Sequence, residues 1–194
     1  MRWILVIGLG LALGSAAAAS DAAAGALDQT PLDRATSMLL NAGCVWAGAA
    51  VLAGWLVRGV RPSRGALAGT AALVVGVLTY YGYGVLLGDR TANGAAAVSA
   101  HVRLWAIAAV AAGPPLGAIG TWCRAAGARA FLARSVVPVG AITEMLVVRG
   151  LDVRTFEVDP ALAWVQSAIV LVAALSILAA MLCLWHSLVA ERST

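Results

Sequence analysis

The run VVPVGAITEMLVV, residues 136–148, is apolar except for one threonine and one carboxylate, Glu144. An ionised carboxylate in hydrocarbon costs roughly 2.5–3.5 kcal/mol or more, so it needs a partner, a proton or a task. Arg149 lies five positions further on. That is about 7–8 Å along an α-helix and roughly 140° around it, which makes Arg149 a poor intrahelical partner. The groups suited to meet Glu144 are therefore on other helices. Asn41, Tyr80 and Tyr81 are expected at comparable depth, where burial among neutral groups would favour the protonated acid. Glu144 then reads either as a neutral hydrogen-bonded packing residue or as a proton- or cation-handling group.

A second pointer is Gly113-Pro114-Pro115, near the middle of another apolar segment. The two prolines cannot donate to the carbonyls of Val110 and Ala111, so a kink or break is expected there. Freed carbonyls at such depth can line a substrate or ion site, although a plain packing kink has the same signature. Tyr80 and Tyr81 likewise fit an interfacial aromatic belt as well as a bundle-facing role. The candidate polar or transport site is thus Glu144, Asn41, Tyr80, Tyr81, Gly113, Pro114 and Pro115.

Other chemistry fails on spacing. His101 and His186 are expected on opposite sides of the membrane, and the chain has no HExxH, no GxSxG and no Walker A loop. No catalytic, cofactor-binding or metal-binding residue is assigned and no enzyme is expected. Cys44, Cys123 and Cys183 form no CxxC pair, and three free thiols are expected. The pI of about 9.5 comes from arginines scattered over loops, not from a stripe interleaved with aromatics, so nucleic acid is not an expected partner.

Composition dictates the elements that must position these groups. Of 194 residues, 62% are apolar and 11% charged, and the mean hydropathy is +0.92, where a soluble domain would be about a quarter charged. An all-α, polytopic transmembrane helix bundle is the expected fold, as a single integral membrane domain over residues 1–194. Six spans are expected: 3–19, 36–57, 66–87, 104–122, 136–148 (short, unless it begins near Phe131) and 161–185. Residues 1–20 also read as a cleavable signal peptide, which would leave five spans. With both termini in the cytoplasm, eight arginines fall inside against one acid, and five fall outside against seven acids. That is the positive-inside pattern of an inner-membrane protein.

Most tryptophans fall near span ends, as interfacial anchors do. Small residues four apart, Gly10/Gly14, Gly65/Gly69, Gly84/Gly88 and Gly113/Gly117, let helix backbones approach closely. They suit packing within the chain or a homo-oligomer or membrane-protein partner. The lipid bilayer is the expected environment.

The segment LNAGCVW (40–46) with Ala53-Gly54, then Tyr80-Tyr81, Trp105, Gly113-Pro114, Gly117 to Gly120 and Arg124, resembles a family of small uncharacterised multi-pass membrane proteins from actinobacteria. The resemblance implies an integral membrane fold and no activity. Three functional readings remain: a membrane protein of unknown function with a polar site around Glu144, a small proton- or ion-coupled permease, or a structural or regulatory subunit of a larger membrane complex.

Overall fold

The computed structural model describes residues 2–57, 61–86, 94–150 and 160–192, and among these the secondary structure is helical. The helices are α1 (Arg2–Ala24), α2 (Pro31–Leu40), α3 (Gly43–Leu56), α4 (Pro62–Leu86), α5 (Gly94–Trp122), α6 (Gly127–Thr143), which runs on into a π-helical turn (Glu144–Val148), and α7 (Pro160–Arg192). Among the described residues five segments are long and apolar enough to cross a membrane: Arg2–Ala24, Pro62–Tyr83, Ser99–Trp122, Gly127–Val148 and Pro160–Val189. The α2–α3 pair, bent by 47°, makes a sixth if it counts as one span.

Two elements differ from the sequence-based expectation. The segment expected at 136–148 is 22 residues long and starts at Gly127, which puts Arg129 and Arg134 in its first turns. The broken helix is the second span, not the one that carries the prolines, because α5 stays helical through Pro114 and Pro115.

Burial runs opposite to that of a water-soluble protein. The buried apolar positions are mostly alanine, Ala17, Ala42, Ala50, Ala53 and Ala68 being fully enclosed, while Leu104, Ile107, Leu132, Leu171 and Leu182 are exposed. Large apolar side chains turned outward with small ones inside suit a lipid exterior, where association depends on close packing rather than on escape from water. Buried hydroxyls are satisfied by their own helices: Ser20 donates to the Ala17 carbonyl at 2.7 Å and Ser135 to that of Phe131 at 2.9 Å.

The chain divides into two compact units, residues 1–121 and 122–194. In the first, α4 is the central helix. Val6 of α1, Ala53 and Val57 of the α3 end, and Ala68 and Ala72 of α4 form one core cluster. Ala50, Leu73, Val77 and Ala109 form another, with Trp46, Tyr81 and Leu116 against it. Glycines mark the crossings. A Cβ on Gly10 would stand 2.5 Å from the Ala72 carbonyl oxygen, and one on Gly14 would run into that of Gly76. Gly113 faces the backbone of Thr70, Gly117 meets Gly65 and Gly69, and Gly54 meets Gly117. Three of the four sequence pairs therefore pack within the chain, while Gly88 of the fourth lies outside the described residues. In the second unit α6 packs along α7, and Ala130, Ala133 and Ala141 of the one and Ala173 and Ala180 of the other are buried.

Gly117→Val should lower stability by about 1–3 kcal/mol, since neither facing backbone can retreat without repacking. Gly8 and Gly140 have nothing within 4 Å of such a Cβ. Alanine at either should be neutral or raise stability by about 0.5–1 kcal/mol through helix propensity. Thermal unfolding in detergent compares the two sets. An equal response would dismiss close approach as the organising contact.

Candidate functional site

Polar groups of the first unit converge at the C-terminal end of α1. Alanine is the strongest helix former, and the alanines on both sides of Asp21 carry α1 past it to Ala24. Asp21 therefore stands on the helix, four residues beyond fully buried Ala17. Gly10, Gly14, Ala17 and Asp21 are spaced four, three and four apart and share one face. On α4, Gly10 meets Ala72 and Gly14 meets Gly76, so in the same register Tyr80 lies opposite residue 18. Its phenol reaches the remaining three residues, about 4.5 Å along the axis, to Asp21. The Tyr80 hydroxyl donates to Asp21 Oδ2 at 2.5 Å. Ser37 Oγ and Asn41 Nδ2 donate to Oδ1 at 2.5 and 2.7 Å. A half-buried carboxylate on α1 is thus held by three neutral donors from α2, its C-terminal cap and α4.

The two donors on the α2 side owe their positions to a built break. Thr30 caps α2 reciprocally with Asp33: Thr30 N–H donates to Asp33 Oδ2 at 2.7 Å, and Asp33 N–H to Thr30 Oγ1 at 3.3 Å. The helix is ten residues long and stops at Asn41. Asn41 Nδ2 also donates to the Ser37 carbonyl at 3.0 Å, and Trp46 Nε1 donates to the Leu40 carbonyl at 3.0 Å. Gly76 leaves room for the Trp46 ring, whose Cζ3 would be 3.0 Å from a Cβ there. The chain therefore turns by 47° with the Leu40 carbonyl held by an indole N–H, and Ser37 and Asn41, one turn apart, present their side chains to Asp21. Tyr81 packs edge-on to Tyr80, ring centroids 4.9 Å apart, and lies against the core cluster of Ala50, Leu73 and Val77.

Asn41 and Tyr80 thus meet a carboxylate, and it is that of Asp21. Glu144 has a different partner. Arg149 Nε donates to Glu144 Oε1 at 3.3 Å, an ion pair whose two side chains are 29% and 17% exposed. The expectation that Arg149 is badly placed assumes α-helical phase. Residues 144–148 form a π-helical turn in which Arg149 N–H bonds to the Glu144 carbonyl, and this i→i+5 closure stacks residue 149 over residue 144. Nor do the prolines share the tyrosine's position. Gly113 faces Thr70, which is ten residues, or about 15 Å, along α4 from Tyr80.

Residues 1–190 match the model of a family described only as a family of unknown function (DUF6518). The chain belongs to that family. No curated protein and no solved structure matches it. DUF6518 membership thus extends over α1 through α7, and over the whole Asp21 cluster, without assigning it a task.

The sequence-based site omits Asp21 and Ser37 and gives Trp46 no role. Asp21 reads as the first charge of a loop when only net charge is counted; the four-three-four stripe ending on it is the signal that finds it. Among the described residues no three His, Cys, Asp or Glu side chains gather as a metal site would require. Partial burial pushes the Cys123 thiol up, against the opposing pull of the Arg134 guanidinium, which disfavours the reactive thiolate.

Asp21→Ala removes an acceptor from three donors and should cost about 2–4 kcal/mol, while Tyr80→Phe removes one bond and should cost about 1–2 kcal/mol. Arg149→Ala, at a partly exposed pair, should cost about 1 kcal/mol or less. The same detergent unfolding measurement ranks them, and a Tyr80→Phe protein as damaged as Asp21→Ala would contradict the three-donor arrangement.

Proposed function

We propose that this chain is a multi-pass protein of the inner membrane, with both termini cytoplasmic, in which Asp21 binds and releases a proton at the bend of the second span, as in a small proton-coupled permease. One observation carries the reading: three neutral donors converge on a single carboxylate beside a broken helix. Intramembrane acids mark proton pathways, and broken helices line substrate and ion sites.

The donor set supports a particular proton position. Asn41 Nδ2 can only donate, and Oδ1 already accepts from it and from Ser37. Oδ2 accepts from Tyr80. A proton therefore goes to Oδ2, where the phenol oxygen can turn from donor to acceptor because a hydroxyl does both. The cluster holds the carboxylate and the carboxylic acid with little rearrangement. Substrate binding by the same bend is the step that would make it a permease.

The glycine faces weigh against a subunit that docks through them, since Gly10, Gly14, Gly54, Gly65, Gly69, Gly113 and Gly117 meet this chain's own backbone or side chains. The tight packing of Gly10 and Gly14 on α4 also supports a retained α1 over a cleaved signal peptide. The arginine distribution supports the orientation.

Two measurements test these points. Infrared difference spectra of the protein in lipid, between acid and alkaline pH, should contain a carboxylic C=O band that Asp21→Asn removes and Glu144→Gln leaves in place. A spectrum that Asp21→Asn leaves unchanged sinks the proton site. In a background with the native cysteines replaced by serine, Ser63→Cys and Ala126→Cys should be shielded from an impermeant thiol reagent in intact cells while Gln29→Cys is labelled. The opposite pattern inverts the orientation. Residues 93 and 155, the other positions expected outside from sequence, lie outside the described residues.

A further inference from the structure

The second unit contains a cavity of about 190 Å³ between the start of α6 and the end of α7. Its polar lining comes from Arg134, Ser187 and Cys183, its lip from Ala125, Ala126 and Gly127, and among the described residues no acidic side chain lines it. That volume is about six waters' worth. It is too small for most drug-sized metabolites, which need roughly 300 Å³ or more, and suits a single phosphate with a few carbons attached.

Three features of the cavity favour an anion. Arg134 Nε and Nη2 both donate to the Cys123 carbonyl, at 3.1 and 2.9 Å, which holds the guanidinium plane and leaves its other N–H groups free of that bond. A planar fork held in this way matches phosphate oxygens in pairs. The helix beside it begins at Ala126, whose side chain offers no cap, so the first-turn N–H groups of α6 and the positive end of its dipole stand at the lip. Gly127, at φ 69°, turns the chain there and has nothing within 4 Å of where a Cβ would be. Arg129 lies over the Trp122 ring at 4.5 Å, so a second cation and an indole sit at the same end of the unit.

The surroundings choose among phosphates. Phe131 and Leu184 also line the cavity, and Leu132, Met181, Leu182 and Leu188 are exposed nearby on the same two helices. A ligand with an anionic head and an apolar tail satisfies both parts, and basic pockets between helices at the membrane surface accept such headgroups. We infer that the α6–α7 cavity binds the phosphodiester headgroup of an anionic phospholipid, through Arg134, Ser187 Oγ and the first-turn N–H groups of α6. The inference uses neither Asp21 nor the proton reading.

The test measures the thermal midpoint of the full-length protein in neutral detergent, with phosphatidylglycerol, phosphatidylcholine or inorganic phosphate added. Phosphatidylglycerol should raise the midpoint clearly more than phosphatidylcholine, with an apparent affinity about tenfold weaker in Arg134→Gln. Ala126→Asp separates binding from folding. A carboxylate at the N-cap should keep or raise the midpoint without lipid while abolishing the phosphatidylglycerol response, since it occupies the anion's place. Equal shifts from both lipids, an undiminished response in Ala126→Asp, or an effect reproduced by inorganic phosphate alone would each overturn the lipid assignment. The last would make the cavity a site for a soluble anion.

Discussion

The approach of α1, α3 and α5 to α4, at distances only glycine and alanine permit, decides where the polar groups of residues 1–121 can meet. Lipid supplies no hydrophobic drive for helices to associate, so the contacts must come from dispersion between backbones and from the hydrogen bonds that close packing brings into reach. Gly10 on Ala72 and Gly14 on Gly76 fix the register of α1 along α4. That register alone carries Asp21 to within reach of the Tyr80 phenol. A larger residue at either glycine would move the helices apart by more than the slack in a 2.5 Å hydrogen bond.

The same logic separates what is readable in the sequence from what is not. Composition and run length announce the helical bundle, because hydrocarbon thickness imposes a length on every segment. The glycine pairs are visible as packing candidates, but a spacing of four does not name the facing helix. The partner of Asn41 and Tyr80 is misassigned from sequence for a related reason. Glu144 stands out by being alone among apolar residues, whereas Asp21 is camouflaged by the loop charges beyond it. Depth within a span proves a weaker guide than helical phase: the stripe Gly10, Gly14, Ala17, Asp21 points at α4 whichever side of the interface its last member occupies.

Phase also explains the Glu144–Arg149 pair. One extra residue per turn over 144–148 rotates Arg149 onto the face of Glu144, and no local composition signals the slip, since EMLVV reads equally well as α-helix. Breaks depart from expectation in the opposite sense. Pro114 and Pro115 remove two donors, yet proline's fixed φ suits a helix and the segment is clamped by Gly113 on Thr70 and Gly117 on Gly69, so α5 continues. Asn41 removes no donor. Its backbone N–H and its side-chain amide both bond to the Ser37 carbonyl where α2 ends, and Trp46 claims the carbonyl of Leu40. A break is stable where side chains adopt the freed carbonyls, which is a question about neighbours rather than about proline.

That distinction bears on why the acid and the bend coincide. Asn41 bonds at once to the Ser37 carbonyl in the last turn of α2 and to the carboxylate of α1, so one side chain serves both the cap and the acid at the 47° bend. Hydrogen bonds to a charged group are worth about 1.5–3 kcal/mol each, against about 0.5–1.5 kcal/mol between neutral groups. Ser37 and Asn41 bring two such bonds from the α2 side of the bend and Tyr80 a third from α4, so one carboxylate on α1 ties three helices together. A carboxylate placed on a straight helix, with its donors on the same helix, would join nothing, and the separation of the three donors between α4 and the α2 side of the bend is what makes Asp21 a joint between helices.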